Sequence, residues 1–129
     1  MDHFSSDREL TQRIIECMIT VHQTLGPGFL ESVYRRALLI ELDHAGLMAQ
    51  SEQDVTVQYR GEEVGRHRLD IFVEDRVVLE LKTVDQLGPI HYAQIRSYLK
   101  ATKRQTGLLV NFARERADFR RIESSVADA

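Results

Sequence analysis

The stretch Leu69-Asp70-Ile71-Phe72-Val73-Glu74-Asp75-Arg76-Val77-Val78-Leu79-Glu80-Leu81-Lys82 holds two β-rich runs separated by three polar residues. It reads as a hairpin. Side chains alternate along a strand, so Asp70 and Phe72 share one face, opposite Leu69, Ile71 and Val73. In the second run Glu80 and Lys82 share a face with Val78, while Val77, Leu79 and Leu81 take the other. If Glu74-Asp75-Arg76 is the loop, Val73 pairs with Val77 and Asp70 sits opposite Glu80. Two carboxylates directly across strands repel. A two-residue loop would put them on opposite faces and remove the conflict. The paired arrangement makes chemical sense if a divalent cation fills the gap, since oxygen ligands suit Mg²⁺ or Mn²⁺. Lys82 is then held beside the same site, where an ammonium can position an attacking water or offset developing negative charge. The plain alternative is a surface salt bridge from Lys82 to Asp70 or Glu80 on a half-exposed sheet.

Upstream, Ser6-Asp7-Arg8-Glu9 is a capping-box pattern, and Leu10, Ile14, Met18, Val21 and Leu25 follow as one apolar helical stripe. Gly26-Pro27-Gly28 stops that helix and lacks the Lys-Ser/Thr of a phosphate-binding loop. A second helix is expected from about Phe29 to His44, ending at Gly46. Glu31 falls in the middle of its apolar stripe with Tyr34, Leu38, Leu42 and Ala45. A carboxylate there must be paired, metal-bound or at the wet end of the stripe, where it would favour the helix dipole. The strands expected before and after are Val55–Tyr59, Arg68–Val73 and Val77–Val84. Downstream, Gly88-Pro89 opens a third helix reaching about Ala101, Gly107–Phe112 reads as a buried strand, and Phe119–Ile122 as a short edge strand. The order is ααβββαβ, a single α/β domain spanning residues 1–129.

Composition narrows the function. The chain has 129 residues, enough for one domain with a real core. With 43% hydrophobic and 29% charged residues it is neither disordered nor a membrane span. No apolar run approaches the ~18 residues of a transmembrane helix, and the start is not a secretory signal. A single cysteine, Cys17, excludes an internal disulfide and a cysteine-rich zinc site, so a reduced, cytoplasmic setting is expected. Net charge is −3, yet between Ile90 and Arg121 eight Lys/Arg face only Glu115 and Asp118. Such a cluster is either a solvated face or a phosphate-facing surface. Arg96, Lys100 and Lys103, spaced four and three apart, form one helical row within it.

Two motifs now stand in order. Gly28-Phe29-Leu30-Glu31-Ser32-Val33-Tyr34 spells GxxExxY, and Asp70…Glu80-Leu81-Lys82 spells D…ExK. Together they resemble the GxxExxY family of the PD-(D/E)XK nuclease superfamily, over most of the chain from the first helix to the Gly107–Phe112 strand. The position before Asp70 is Leu69 rather than the family's proline. Gln94 and Tyr98, one helical turn apart, resemble the QxxxY element of the RecB-like branch. The resemblance implies a restriction-endonuclease-like core, a mixed central sheet flanked by helices. It implies a Mg²⁺ or Mn²⁺ ion held by Asp70, Glu80, Glu31 and the Leu81 carbonyl, and a water-activating or charge-stabilising Lys82. Gln94 and Tyr98 would position a phosphate or the site itself. Arg96, Lys100 and Lys103 are the expected substrate contacts.

The remaining candidates carry less. The histidines show no zinc-ligand spacing; His67 reads as structural and His91 as a helix-surface residue. Cys17, beside the first helical stripe, reads as an inert buried thiol. Two function classes follow: a metal-dependent nuclease acting on DNA, with RNA the lesser alternative, and a non-catalytic nucleic-acid-binding or regulatory module that keeps the fold and acts with a partner. Filled site positions favour the first. A chain this small leaves no separate target-reading domain, so a homodimer or protein partner is the expected source of any specificity, and no membrane is.

Overall fold

The structure, a computed structural model, describes residues 7–124. Helices α1 (Asp7–Leu25) and α2 (Glu31–His44) precede strands β1 (Ala49–Tyr59), β2 (Glu62–Val73) and β3 (Val77–Lys82). Helix α3 (Pro89–Thr102), β4 (Thr106–Asn111) and β5 (Asp118–Glu123) follow. The strands form one sheet in the order β1-β2-β3-β4-β5, with β3 and β4 parallel and the other pairs antiparallel. A parallel pair needs a crossover, and α3 supplies it. This is the mixed α/β sheet flanked by helices that the sequence predicts, with the edge strand after β4 in place. The Ser6 half of the capping box lies outside the described residues.

Periodicity explains the two layers. Leu10, Ile14, Met18 and Val21 of α1 and Tyr34, Leu38 and Leu42 of α2 are buried against Ile71, Val73, Val77, Leu79, Leu81, Leu108, Val110 and Phe112. On the opposite face Tyr98 and Leu99 of α3 pack with Leu69, Phe72 and Val78. The alternation Val77/Leu79/Leu81 against Val78 is as read from the sequence.

Three expectations need correction. β1 starts at Ala49 rather than Val55, and β2 at Glu62 rather than Arg68. Their outer halves form a two-stranded arm beyond β3, which pairs with β2 only from Ile71 to Val73. The added residues of that arm, Glu62–His67, are mostly polar and exposed, and cross-strand ions such as Arg68–Asp54, at 3.3 Å, line its outer face. Leu69 also departs from the Ile71 face and joins the α3 layer. Its neighbour Asp70 lies at a gap in the β1–β2 ladder: Ser51 pairs with Ile71 and Gln53 with Leu69 in one register, but Asp70 and Glu52, the latter at φ 54°, do not pair; the register itself shifts only between Val57 and Gln58.

The hairpin loop is the three-residue one. Val73 pairs with Val77, Glu74 and Asp75 take φ of 53° and 55°, and the Arg76 N–H donates to the Val73 carbonyl at 2.9 Å. Those φ signs are of a type I′ turn, whose twist matches that of the strands. Between α1 and α2, Gly26 and Gly28 adopt φ of 71° and 110°, a region that favours glycine. The Tyr34 hydroxyl pins this turn, donating to the Gly26 carbonyl at 2.5 Å and accepting from the Phe29 N–H at 3.2 Å. Its ring is fully buried and stacked on Phe112 at 4.6 Å. Tyr34→Phe should keep the stack and lose both hydrogen bonds. A fall in unfolding free energy of about 1–2 kcal/mol is expected by denaturant melt; an unchanged midpoint would show that the turn holds itself.

Candidate active site

The β2–β3 ladder ends at Ile71–Leu79. One step further, where Asp70 faces Glu80, side chains take over from the backbone. The Leu81 N–H donates to Asp70 Oδ2 at 2.8 Å, and the Asp70 N–H donates to Glu80 Oε2 at 3.4 Å. The other edge of β3 belongs to β4, where the Phe112 N–H donates to the Lys82 carbonyl at 2.9 Å. In a strand the N–H and C=O of one residue point to the same edge, so the Leu81 carbonyl shares the Asp70 side.

Glu80 is only 3% exposed. Burial, then the adjacent Asp70 charge and a hydrogen bond to Asp70, push its carboxyl up to about 9; Lys82 pulls the other way. Neutral at pH 7, Glu80 donates its proton to Asp70. The Tyr98 hydroxyl joins the same chain from α3. Burial and the Glu80 and Asp70 charges push it up to about 12, and its hydrogen bonds run to Glu80 and Gln94. Bonds therefore run from the Gln94 amide to Tyr98, from Tyr98 to Glu80, and from Glu80 to Asp70. The helical spacing of Gln94 and Tyr98 aims both at this carboxyl pair.

Glu31 is the first residue of α2 and half-buried. Desolvation and then Asp70 raise its carboxyl, while Lys82 and Arg35 lower it. The structure thus brings Glu31 to Asp70 and Lys82, and Lys82 to both Glu31 and Glu80. Among the described residues, however, no three His, Cys, Asp or Glu side chains stand close enough to share one ion. Asp70 and Glu80 are bridged by a proton. A divalent cation can replace that proton, because the donor set is all oxygen and its charge would offset both the burial and the Asp70 repulsion that hold Glu80 neutral. The residues fit such a group.

Other residues were harder to foresee. Arg35, one turn after Glu31, lies within its field and pairs with Glu52 at 3.2 Å. Its i,i+4 spacing from Glu31 was a usable signal. Asn111, fully buried opposite Lys82, donates to the Val84 carbonyl at 2.7 Å and accepts from the Val84 N–H at 3.1 Å, fixing the chain that leaves Lys82. His91 is a helix cap rather than a free surface group: its Nδ1 accepts from the Gly88 N–H at 2.9 Å. His67 packs edge-on against the Tyr98 ring at 4.4 Å. Cys17 is buried, and burial raises its thiol, as suits an inert residue.

The basic segment divides. Arg104 pairs with Asp75, Arg120 with Asp118 and Arg121 with Glu123, and Arg114 donates to the Asp85 carbonyl. Arg96, Lys100 and Lys103 instead line a groove of about 710 Å³ between α3 and the β1–β2 arm, while Arg116 lies away from it, beside Glu115 and the end of α1.

A family model described as the PD-(D/E)XK nuclease superfamily matches residues 8–122. Among solved structures, a protein named SSO0001 is similar with a TM-score of 0.58 and 20% identity, over 72% of this chain and 49% of its own. This chain therefore spans about half the length of that protein. The alkaline exonuclease LHK-Exo from Laribacter hongkongensis aligns with a TM-score of 0.54 and 14% identity, over 97% of this chain and 73% of its own. Identities this low show a shared fold. A search of curated protein sequences finds no match.

Because Glu80 holds its proton to about pH 9 when folded and to about 4.5 when unfolded, its burial weakens the metal-free protein progressively between those values. Glu80→Gln keeps the donor to Asp70 and removes the titration. The variant should gain on the wild type as pH rises from 4.5, reaching about 3 kcal/mol at pH 7. Thermal melts in chelator across pH 4.5–9 check this; a gap that does not widen would mean that Glu80 ionises freely.

Proposed function

The chain belongs to the PD-(D/E)XK nuclease superfamily, and from that premise we propose that it is a divalent-metal-dependent nuclease of the GxxExxY family, hydrolysing phosphodiester bonds in DNA. The observation that carries this reading is the buried Glu80 carboxyl, hydrogen-bonded to Asp70 and within the field of Lys82. A structural ion pair would not keep a carboxylic acid neutral beside a lysine. A cation site would, because the missing charge arrives with the ion. The exonuclease named among the structural neighbours is of the same activity class.

Asp70, Glu80, the Leu81 carbonyl and, across the cleft, Glu31 would hold Mg²⁺ or Mn²⁺. When bound, the cation supplies Lewis-acid polarisation of a phosphoryl oxygen and an acidified water. The chain's own residues do the rest. Tyr98 and Gln94 fix the Glu80 rotamer by hydrogen bonds. Lys82, beside Glu31 and Glu80, directs its ammonium at the attacking water and at the charge that develops on phosphorus. Glu31 keeps that ammonium in place. Residues 1–129 act as a single nuclease domain in the cytoplasm, a second copy or a partner protein supplying target choice. No described helix is long and apolar enough to cross a membrane.

The direct test is degradation of labelled single- and double-stranded DNA and RNA with Mg²⁺ or Mn²⁺ against a chelator control; no metal-dependent cleavage of any of them would sink the reading. Lys82→Ala should abolish cleavage and leave nucleic-acid and metal binding nearly intact, since its interaction develops in the transition state. Wild-type turnover in that variant would make Lys82 a salt-bridge residue. Glu31→Gln should raise the metal-free melting temperature, shrink the Mg²⁺- or Mn²⁺-induced stabilisation and cut activity strongly. If Glu31 instead serves only the helix dipole, the same change lowers stability by about 0.3–1 kcal/mol and spares the metal response.

A further inference from the structure

Three cations stand on one wall of the groove between α3 and the β1–β2 arm. Arg96 and Lys100 project from α3, and Lys103 caps its C-terminus at φ 59°. They take part in no ion pair among the described residues, unlike Arg66 and Arg68 of the arm, which pair with Glu63, Asp54 and Glu52. The facing wall carries Thr56, Val57 and Gln58 from β1, and the carboxylate that also lines the groove, Glu123, is paired with Arg121 at 2.9 Å. His67 lies on the floor, its ring edge-on to Tyr98, whose hydroxyl holds Glu80. Groove and carboxyl pair are thus one aromatic ring apart.

We propose that this groove is a binding site for a single strand of nucleic acid, phosphates along Arg96, Lys100 and Lys103 and bases toward Val57 and His67. The inference rests on the nuclease reading and adds the form of the substrate. A cationic wall facing an uncharged one matches the two edges of one strand, since phosphate seeks charge and a base seeks a flat, apolar surface. A duplex carries phosphates on both outer edges and presents no bases laterally. The volume of about 710 Å³ also lies in the ~300–1,000 Å³ range of a small ligand site. Lying beside Tyr98, the groove leads a strand to or from the carboxyl pair. DNA and RNA single strands share this chemistry, so both belong in the test.

Binding is measured by fluorescence anisotropy of labelled dT12, rU12 and a 12-bp duplex on the full chain in chelator, where no cutting intervenes. A single strand, dT12 or rU12 or both, should bind at least tenfold tighter than the duplex. Lys100→Gln/Lys103→Gln and, separately, Arg96→Gln should each weaken single-strand binding about tenfold and flatten its salt slope by ~0.7 per lost contact. Arg36→Gln, an exposed arginine of α2, removes one charge elsewhere and should leave affinity within twofold. Equal or tighter duplex binding, or an unmoved single-strand affinity in the groove variants, overturns the proposal. Melting curves establish that the variants are folded. Single-strand binding that depends on the groove, in a protein that cuts nothing with metal, would uphold this site while refuting the nuclease reading. Cutting without that dependence does the reverse.

Discussion

The Leu81 N–H bond to Asp70 Oδ2 stands where the next backbone bond of the β2–β3 ladder would be. The two strands stay together by one side chain, and the space opened is just large enough for carboxyl groups. A full ladder would put Asp70 and Glu80 side by side as a repelling pair. A wider split would leave the Leu81 amide without a partner in a region where an unpaired donor costs about 1–3 kcal/mol. The geometry between these limits forces Glu80 to carry a proton and makes it dependent on Tyr98. Every other part of the site is arranged around that buried acid.

Two devices aim groups at this opening. Glu52, across from Asp70, sits at positive φ, a strained state for a residue with a Cβ, and its carboxylate lies between Arg35 at 3.2 Å and Arg68 at 3.6 Å. The ion pairs flank the kink, and at the same level Asp70 is free of the β1–β2 ladder. The second device is Tyr34. It ties the turn at Gly26 and Phe29 to the core through Phe112, and the turn fixes where α2 begins. Glu31 is the first residue of that helix. The glycine, glutamate and tyrosine of the GxxExxY stretch therefore form one mechanical unit: a turn that needs positive φ, a carboxylate set at its exit, and an anchor one turn on.

Local chemistry made the centre legible and the periphery not. The Asp70–Glu80 register followed from a three-residue loop, because register is fixed once the turn length is known. The α1 stripe and the two faces of β3 followed from burial period alone. The added strand segments, Ala49–Asp54 at the inner end of β1 and Glu62–His67 at the outer end of β2, are mostly polar and exposed, so they carry no apolar alternation to read. The Leu69 packing against α3 was hidden because simple alternation puts Leu69 with Ile71, and the ladder gap at Asp70 has no sequence signature. Asn111 was hidden in an apolar run, its role set only by the loop that folds back on it. The share of the basic segment available to a polyanion depended on partners such as Asp75 and Asp118 that lie across loops and neighbouring strands.

That last point bears on how an acidic chain meets nucleic acid. With a net charge of −3 the long-range field does not draw in a polyanion, so any attraction must be local, within about a Debye length of ~8–10 Å. Locality is what the pairing achieves. By holding Arg104, Arg120 and Arg121 against neighbouring carboxylates, the fold leaves three cations without an ion pair together on α3, with Arg114 and Arg116 apart from them. The same turns of that helix present Gln94 and Tyr98 to the carboxyl pair from another face, so the two sets of groups are fixed relative to each other by one rigid element. Positioning of substrate and positioning of the acid are then a single structural problem, settled by how α3 packs through Tyr98 and Leu99 on Leu69, Phe72 and Val78.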